Sequence, residues 1–132
     1  ENGWGRIVFI GTESAVDVPG DMIHYGVTKA AALALSNGLA KFTRGTEVTV
    51  NTVLGGPTYS DGGASKVEQI AASQSVPAAD LKDSLIRESS LIRRFIEPGE
   101  IAHLVAYLAS PLSSATNGAA LRADGGVLPT VV

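Results

Sequence analysis

Two residues near the start of an alanine-rich segment have types and spacing that suit acid–base chemistry. Tyr25 and Lys29 lie four residues apart, so on a helix their side chains occupy one face. A free tyrosine titrates at about pH 10, and an ammonium group one helical turn away favours the phenolate form. Because a chain with three tyrosines contains a Tyr-x-x-x-Lys match by chance roughly one time in ten, the pair needs support from its surroundings.

Hydroxyl groups and small residues follow the two apolar runs that flank this pair. Thr12 and Ser14 come directly after the first run, and Gly55-Gly56-Pro57-Thr58 comes after the second. In open α/β sheets, ligands bind beyond the carboxyl ends of the strands. The sequence therefore predicts one crevice that is lined by both loops and by the start of the helix that carries Tyr25.

The elements that must position this crevice alternate along the chain. Apolar runs bounded by glycine are typical of strands, and apolar residues three or four apart are typical of helices. The order is strand, helix, strand, polar insert, helix, strand, at about residues 6–10, 24–42, 48–54, 60–90, 98–110 and 119–123. This order predicts a single α/β unit with a parallel sheet and right-handed crossovers.

Local patterns add detail to two of these elements. Arg6 to Ile10 lacks alternation, which predicts a strand buried on both faces, whereas residues 48–54 alternate between apolar and polar side chains. In the first helix, four apolar residues fall on one stripe, namely Ala31, Leu35, Leu39 and Phe42.

Composition excludes several classes of function. The 132 residues carry a net charge of −3 and include no cysteine, which excludes disulfide scaffolds, thiolate metal sites and cysteine nucleophiles. The two histidines, His24 and His103, lie too far apart in sequence to give a metal-ligand spacing. No basic cluster exceeds Arg93-Arg94, which argues against nucleic acid and anionic membranes as partners. No apolar run approaches the ~20 residues of a membrane span, and we expect a cytoplasmic protein.

Five segments, in order, resemble the short-chain dehydrogenase/reductase family. They are the strand Gly5–Ile10, the Tyr-x-x-x-Lys motif at 25–29, the strand at Val48–Asn51, the loop Gly55–Thr58, and the final helix and strand around Pro98–Ala102 and Ala123–Gly126. The match covers nearly the whole chain, but it corresponds to only the second half of a family member. The expected fold is therefore a partial Rossmann-like, doubly wound parallel sheet of about three strands with flanking helices.

The resemblance implies a role for each matched residue. Tyr25 is the general acid/base, and Lys29 favours its phenolate form and binds the nicotinamide ribose. Thr12 stands where the family has a serine that hydrogen-bonds the carbonyl, with Ser14 as a possible substitute. Gly56, Pro57 and Thr58, like Tyr25 and Lys29, are implied to touch the cofactor, NAD or NADP.

Two features of the sequence depart from the family pattern. Thr12 adds a methyl group, which narrows the site, and Gly55 replaces a proline. The chain also lacks the glycine-rich phosphate loop of the family's first half, since Gly3-Trp4-Gly5 is followed by Val8 where the third glycine is due. We therefore expect the isolated chain to bind no cofactor tightly and to be inactive.

Residues 1–132 are accordingly interpreted as one partial domain, the catalytic and substrate-binding half of an NAD(P)-dependent oxidoreductase that acts on a small carbonyl or alcohol. Residue 1 is Glu rather than Met, which fits a processed chain or a piece of a longer one. The polar segment 60–90 is either a mobile substrate lid or a solvated loop with two short helices. We expect a homo-oligomer or an associated amino-terminal half, because the first strand would otherwise leave an open apolar edge and the helix with Tyr25 resembles the one that family members use in dimer contacts.

A second hypothesis belongs to another class: a free-standing, non-catalytic remnant that serves as an assembly or binding module. The missing phosphate loop and the altered residues Thr12 and Gly55 motivate it. Three other candidates are interpreted as structural, with Asn51 hydrogen-bonding within its strand, Asp124 fixing a turn, and His103 without a catalytic task.

Overall fold

The computed structural model describes residues 3–131. Its strands are β1 (Trp4–Thr12), β2 (Glu47–Gly55) and β3 (Ala120–Ala123), and its α-helices are α1 (Ile23–Ala40), α2 (Asp61–Gln74), α3 (Ala78–Ser84) and α4 (Pro98–Ala109). The predicted alternation of strands and helices is confirmed, with boundaries that differ from the expected ones by a few residues.

The three strands form one parallel sheet in the order β1-β2-β3. Thr12 at the end of β1 pairs with Gly55 at the end of β2, which in turn pairs with Ala123 at the end of β3. The carboxyl ends of all three strands therefore meet at one edge, as an α/β sheet requires for a ligand site.

The main helices α1 and α4 cover opposite faces of this sheet. Thr52 of β2 faces Ala30 and Leu33 of α1, whereas a Cβ atom on Gly55 would meet Ile101 of α4 at 3.4 Å. Residues three apart on a strand point to opposite faces. The sheet is therefore doubly wound, which confirms the expected fold class.

The hands of the two crossovers differ from the sequence-based expectation. The steps from β1 to β2 and from β2 to β3 run in the same direction across the sheet, yet α1 and α4 lie on opposite faces. Two such steps must have opposite hands, so the prediction that both crossovers are right-handed is wrong for one of them. The preference for right-handed crossovers reflects strand twist and direct helix return, and the long polar insert before α4 separates the strand from its helix.

The core lies around β2 rather than around the first apolar strand. The buried apolar side chains include Val50, Val53, Leu54, Ile96, Leu108, Val127 and Leu128. The stripe predicted on the first helix is largely exposed, with Leu35 at 55% and Phe42 at 85% of their full accessibility. The face of α1 that meets the sheet is instead formed by small residues, including Ala30 and the buried Ser36.

Two hydrogen-bonded ties hold the insert, residues 60–90, and the segment after it to the sheet. The amide of Ile96 donates to the carbonyl of Pro57 at 2.9 Å, and the amide of Tyr59 donates to the carbonyl of Ile96 at 2.9 Å. Further along, the amide of Leu91 donates to the carbonyl of Gly125 at 2.9 Å. The chain therefore leaves and re-enters the sheet edge at the same place, and α2 and α3 lie between these two points in the sequence.

Helix α4 begins at Pro98, where proline fits because the first-turn amides have no helical acceptor. The Glu100 carboxylate accepts from the Glu97 amide at 2.9 Å and from Arg94 at 2.7 and 2.8 Å. The hydrogen bond from Arg94, together with the amide of Glu97, lowers the pKa of Glu100 to about 2. This exposed cluster fixes the start of the helix that carries Ile101.

Candidate active site

A cavity of about 400 Å³ lies at the carboxyl ends of β1 and β2. It is lined by residues from β1, the first turn of α1, the loop after β2 and the start of α4: Ile10, Gly11, Thr12, Tyr25, Gly55, Gly56, Thr58, Ser60, Pro98 and Ile101. The predicted crevice is therefore present, and it brings together Thr12, Tyr25, Gly56 and Thr58 from three separate segments.

Tyr25 and Lys29 occupy one face of the first turns of α1. The Lys29 ammonium lies 5.7 Å from the centroid of the Tyr25 ring, and Tyr25 is 37% exposed at the cavity. A cation near the face of an aromatic ring is attracted by the ring quadrupole. Lys29 does not itself line the cavity, and the cavity residue that it lies beside is Tyr25.

Gly26 allows the first turn of α1 to approach the loop that follows β1. A Cβ atom at this position would lie 2.5 Å from Val18 and 3.0 Å from the carbonyl oxygen of Ser14. Any side chain would therefore push Tyr25, its neighbour, away from Thr12. The glycine inside the Tyr-x-x-x-Lys motif is thus a packing requirement of the site.

Thr12 is buried, with 8% of its surface exposed, and it ends β1 at the cavity wall. Its hydroxyl donates to the carboxylate of Glu13 and accepts from the amide of Ser14 at 3.3 Å. Ser14 lies outside the cavity lining, and its own hydroxyl donates to Glu13 at 3.4 Å. Of the two candidate hydroxyls, Thr12 is the one that the fold brings to Tyr25.

The loop after β2 packs tightly against the turn after β3. A Cβ atom on Gly56 would lie 2.6 Å from the carbonyl oxygen of Asp124, so only glycine lets the two segments meet. The Thr58 hydroxyl donates to the Gly56 carbonyl at 2.9 Å, which fixes the loop where it lines the cavity. Pro57 lies outside the cavity lining and accepts the Ile96 amide through its carbonyl.

The residues interpreted as structural make structural contacts. Asn51 is 1% exposed, and its amide group donates to the Thr116 carbonyl at 2.8 Å and accepts from the Ala119 amide at 3.1 Å. The Asp124 carboxylate accepts from the amides of Gly126 and Leu128 at 3.0 and 3.1 Å. These contacts join β2 to the segment before β3 and close the turn after it.

Sequence reasoning missed three residues at or beside the cavity. Ile101 appeared only as part of an apolar helical pattern, and Ser60 only as the first residue of the insert, yet both line the cavity. Glu13 was overlooked, although an acidic residue between two hydroxyl-bearing residues at a strand end is a recognisable signal. It is 3% exposed and pairs with Arg87 of the insert at 3.1 Å.

Two kinds of feature are absent from the described residues. Within residues 3–131, no three histidine, aspartate or glutamate side chains cluster closely enough to hold a metal ion. Over the same range, no helix has the length and apolar character needed to cross a bilayer.

The doubly wound parallel sheet, with a Tyr-x-x-x-Lys pair at its carboxyl edge, has the architecture of one half of a Rossmann-type fold. The family model described as enoyl-(acyl carrier protein) reductase matches residues 1–128. The chain belongs to the short-chain dehydrogenase/reductase family.

Similar proteins agree with this assignment. The chain is 42% identical to the uncharacterized oxidoreductase YvaG of Bacillus subtilis (strain 168), over 96% of this chain and 49% of that protein. It is 40% identical to a second B. subtilis (strain 168) protein, the uncharacterized oxidoreductase YvrD, over 94% of this chain and 48% of that protein. The crystal structure of L-sorbose reductase from Gluconobacter frateurii, complexed with NADPH and L-sorbose, superposes with a TM-score of 0.92 at 26% identity, over 98% of this chain and 49% of that one. The chain thus spans about half the length of the relatives it matches.

Proposed function

We propose that this chain is the catalytic and substrate-binding half of an NAD(P)-dependent oxidoreductase that interconverts a small carbonyl compound and its alcohol. The observation that carries the proposal is the cavity at the carboxyl ends of β1 and β2, where Tyr25 and Thr12 face the glycine loop after β2. Membership of the family supports the reaction class.

In this proposal, Tyr25 moves the proton. Its hydroxyl gives a proton to the carbonyl oxygen during reduction and takes it back from the alcohol during oxidation. The Lys29 ammonium lies 5.7 Å from the centroid of the Tyr25 ring and places a positive charge beside the residue that moves the proton. Thr12 lies at the cavity wall beside the oxygen of the substrate, while Ile101 and Ile10 give the cavity an apolar wall.

The residues around the cavity fit the nicotinamide end of a dinucleotide. Gly55 and Gly56 present main chain without side chains, which lets a flat ring approach closely, and Lys29 and Tyr25 offer hydrogen-bond donors to ribose hydroxyls. When bound there, the nicotinamide supplies or accepts the hydride. L-sorbose reductase, a structural relative, is described in complex with NADPH. We propose NAD or NADP as the cofactor of the whole protein, with negligible binding by these 132 residues alone.

Exposed apolar surface supports an associated partner. On α1, Ile23, Val27 and Leu35 are 61%, 58% and 55% exposed, and on the outer strand β1 Ile10 is 57% exposed. Surfaces of this kind mark contacts with other protein. We propose that a first-half segment covers β1 and that a second copy of the protein covers α1. Light scattering tests this, and a stable monomer of the isolated chain would contradict it.

We also propose that the insert acts as a substrate lid. Ser60, at its start, lines the cavity, and α2 and α3 follow directly in the chain. Closure of such a segment would exclude water from the reacting oxygen.

The proposal is tested with the full-length natural protein, which we expect to contain about 250 residues from the usual size of such domains. The assay follows nicotinamide absorbance with NADH or NADPH against a panel of small aldehydes, ketones and ketoses. Tyr25→Phe removes only the hydroxyl, so we expect kcat to fall about a hundredfold to ten-thousandfold, with little change in nucleotide affinity.

The matched control is Tyr107→Phe, the same atomic change at an exposed position on α4, which should leave kcat unchanged. Full activity of Tyr25→Phe would refute the assigned role. A natural protein with the 13.5 kDa mass of this chain that binds neither nucleotide would instead favour the non-catalytic assembly module.

A further inference from the structure

The turn after β1 contains a buried carboxylate that the proposed proton transfer does not use. Glu13 is 3% exposed, and its two oxygens contact three groups. One oxygen accepts from the Thr12 hydroxyl, while the other lies 3.4 Å from the Ser14 hydroxyl and 3.1 Å from Nη1 of Arg87. Burying a carboxylate costs free energy unless it is paired and hydrogen-bonded, so these contacts are what allow Glu13 to lie inside the protein.

The ion pair joins two segments that are far apart in sequence. Glu13 follows β1 at the cavity wall, whereas Arg87 lies near the end of the insert, after α3. The side chain of Arg87 is 38% exposed and that of Glu13 only 4%, so the guanidinium reaches inward from the surface. The insert is therefore attached to the same turn that carries Thr12.

The contacts of Thr12 determine what its hydroxyl can offer to the cavity. A threonine hydroxyl has one hydrogen and two acceptor lone pairs, and a carboxylate paired with a guanidinium only accepts. The hydrogen is therefore directed to Glu13, and one lone pair accepts the Ser14 amide. One lone pair remains, so the group that meets Thr12 in the cavity must itself be a donor.

We infer that Glu13 is a positioning residue: anchored by Arg87 of the insert, it holds the Thr12 hydroxyl as an acceptor at the cavity. This inference rests on the proposed function for its meaning, since the donor that Thr12 then accepts is the hydroxyl of an alcohol substrate or the phenol of Tyr25. A carbonyl oxygen would gain a donor at Thr12 only by displacing Glu13. The arrangement thus favours the alcohol-bound state of the site.

The test uses the chain without cofactor or substrate, so that its result is independent of the proposed function. Two quantities are measured by NMR: the three-bond couplings that report the χ1 rotamer of Thr12, and amide hydrogen exchange along the insert. In the unmodified chain we expect one Thr12 rotamer and protected amides around Arg87.

Four substitutions separate the ion pair of Glu13 with Arg87 from its contact with the Thr12 hydroxyl. Arg87→Met and Glu13→Gln both remove the ion pair and should raise exchange near residue 87 by about tenfold. Glu13→Gln keeps an acceptor for Thr12, so the rotamer should persist, whereas Glu13→Ala should average the couplings. Arg87→Lys should restore part of the protection.

Lys66→Met is the matched control, because it removes one positive charge from an exposed position of α2 in the same insert. It should leave both measurements unchanged. The inference fails if Arg87→Met and Lys66→Met give the same exchange, or if Glu13→Ala leaves the Thr12 couplings intact. If Glu13→Ala does not fold, Glu13→Gln alone still decides the question. In that variant the Thr12 rotamer should persist while amide exchange in the insert rises.

Discussion

The two long strands of the sheet, β1 and β2, differ in burial in the opposite sense to that suggested by their sequences. β1 has the more continuous apolar run, yet Ile7 and Ile10 are 45% and 57% exposed. β2 alternates apolar and polar residues, yet every residue from 49 to 54 is buried. In the described part of the chain, β2 has a strand on each side and β1 on one side only. The burial of a strand therefore depends on how many strands pack beside it. The apolar content of its sequence does not by itself determine that burial.

The polar residues of β2 are the ones that adapt it to this central place. The side-chain amide of Asn51 donates to the Thr116 carbonyl at 2.8 Å and accepts from the Ala119 amide at 3.1 Å, and both partners lie in the segment before β3. Thr49 and Thr52 are buried without a hydrogen-bond partner for their hydroxyls among the described residues. β2 thus contains buried polar groups with hydrogen-bond partners and buried polar groups without them. Removing a group of the first kind should lower the free energy of unfolding, and removing one of the second kind should raise it.

The largest effect is expected at Asn51. Asn51→Ala leaves the Thr116 carbonyl and the Ala119 amide without their side-chain partner in a buried place, which should lower the free energy of unfolding by about 3 kcal/mol. Asn37→Ala is the control, because Asn37 donates a single bond to the neighbouring Gly118 carbonyl at an exposed site and should cost less than about 1 kcal/mol. Denaturant titration measures the free energy of unfolding of both variants. Equal losses would show that the buried hydrogen bonds of Asn51 contribute no more to stability than the exposed one of Asn37.

A smaller difference is expected between Val53 and Ile10, which face each other across β1 and β2. Val53 is fully buried, so Val53→Ala should cost about 2 kcal/mol from lost burial and the cavity that remains. Ile10→Ala removes more carbon from a residue that is 57% exposed and should cost less than about 1 kcal/mol in the isolated chain.

The variants Val53→Ala and Ile10→Ala also show whether β1 is covered in the whole protein. Once an adjoining strand or partner buries Ile10, the cost of Ile10→Ala should rise toward that of Val53→Ala. Unfolding titrations of both variants in the isolated chain and in the full-length protein make this comparison. An unchanged cost of Ile10→Ala would show that nothing covers this end of β1.

These contrasts explain what the sequence could and could not predict. The order of elements and the convergence of Thr12, Tyr25 and the glycine loop followed from local patterns, because strand ends and helix starts are marked by glycine, proline and periodicity. Local patterns did not show that the predicted apolar stripe of α1 is exposed, since burial depends on neighbours distant in sequence. The Glu13–Arg87 contact likewise joins residues 74 positions apart in sequence, and no local pattern encodes it.

The smallest effect, and the one with the opposite sign, is expected at Thr52. Thr52→Val keeps the shape of a side chain that is 2% exposed and removes a buried hydroxyl that has no partner. Since an unsatisfied buried hydroxyl costs about 1 kcal/mol or more, the substitution should raise the free energy of unfolding by about 1 kcal/mol. Thr46→Val, just before β2, removes a hydroxyl that donates to Thr43 at 2.7 Å and accepts from Val48 at 3.1 Å, and it should lower stability slightly. If thermal unfolding showed both variants destabilised, Thr52 would have to contact a bound water or partner from the groove beside α1, and its hydroxyl would not be an unsatisfied group.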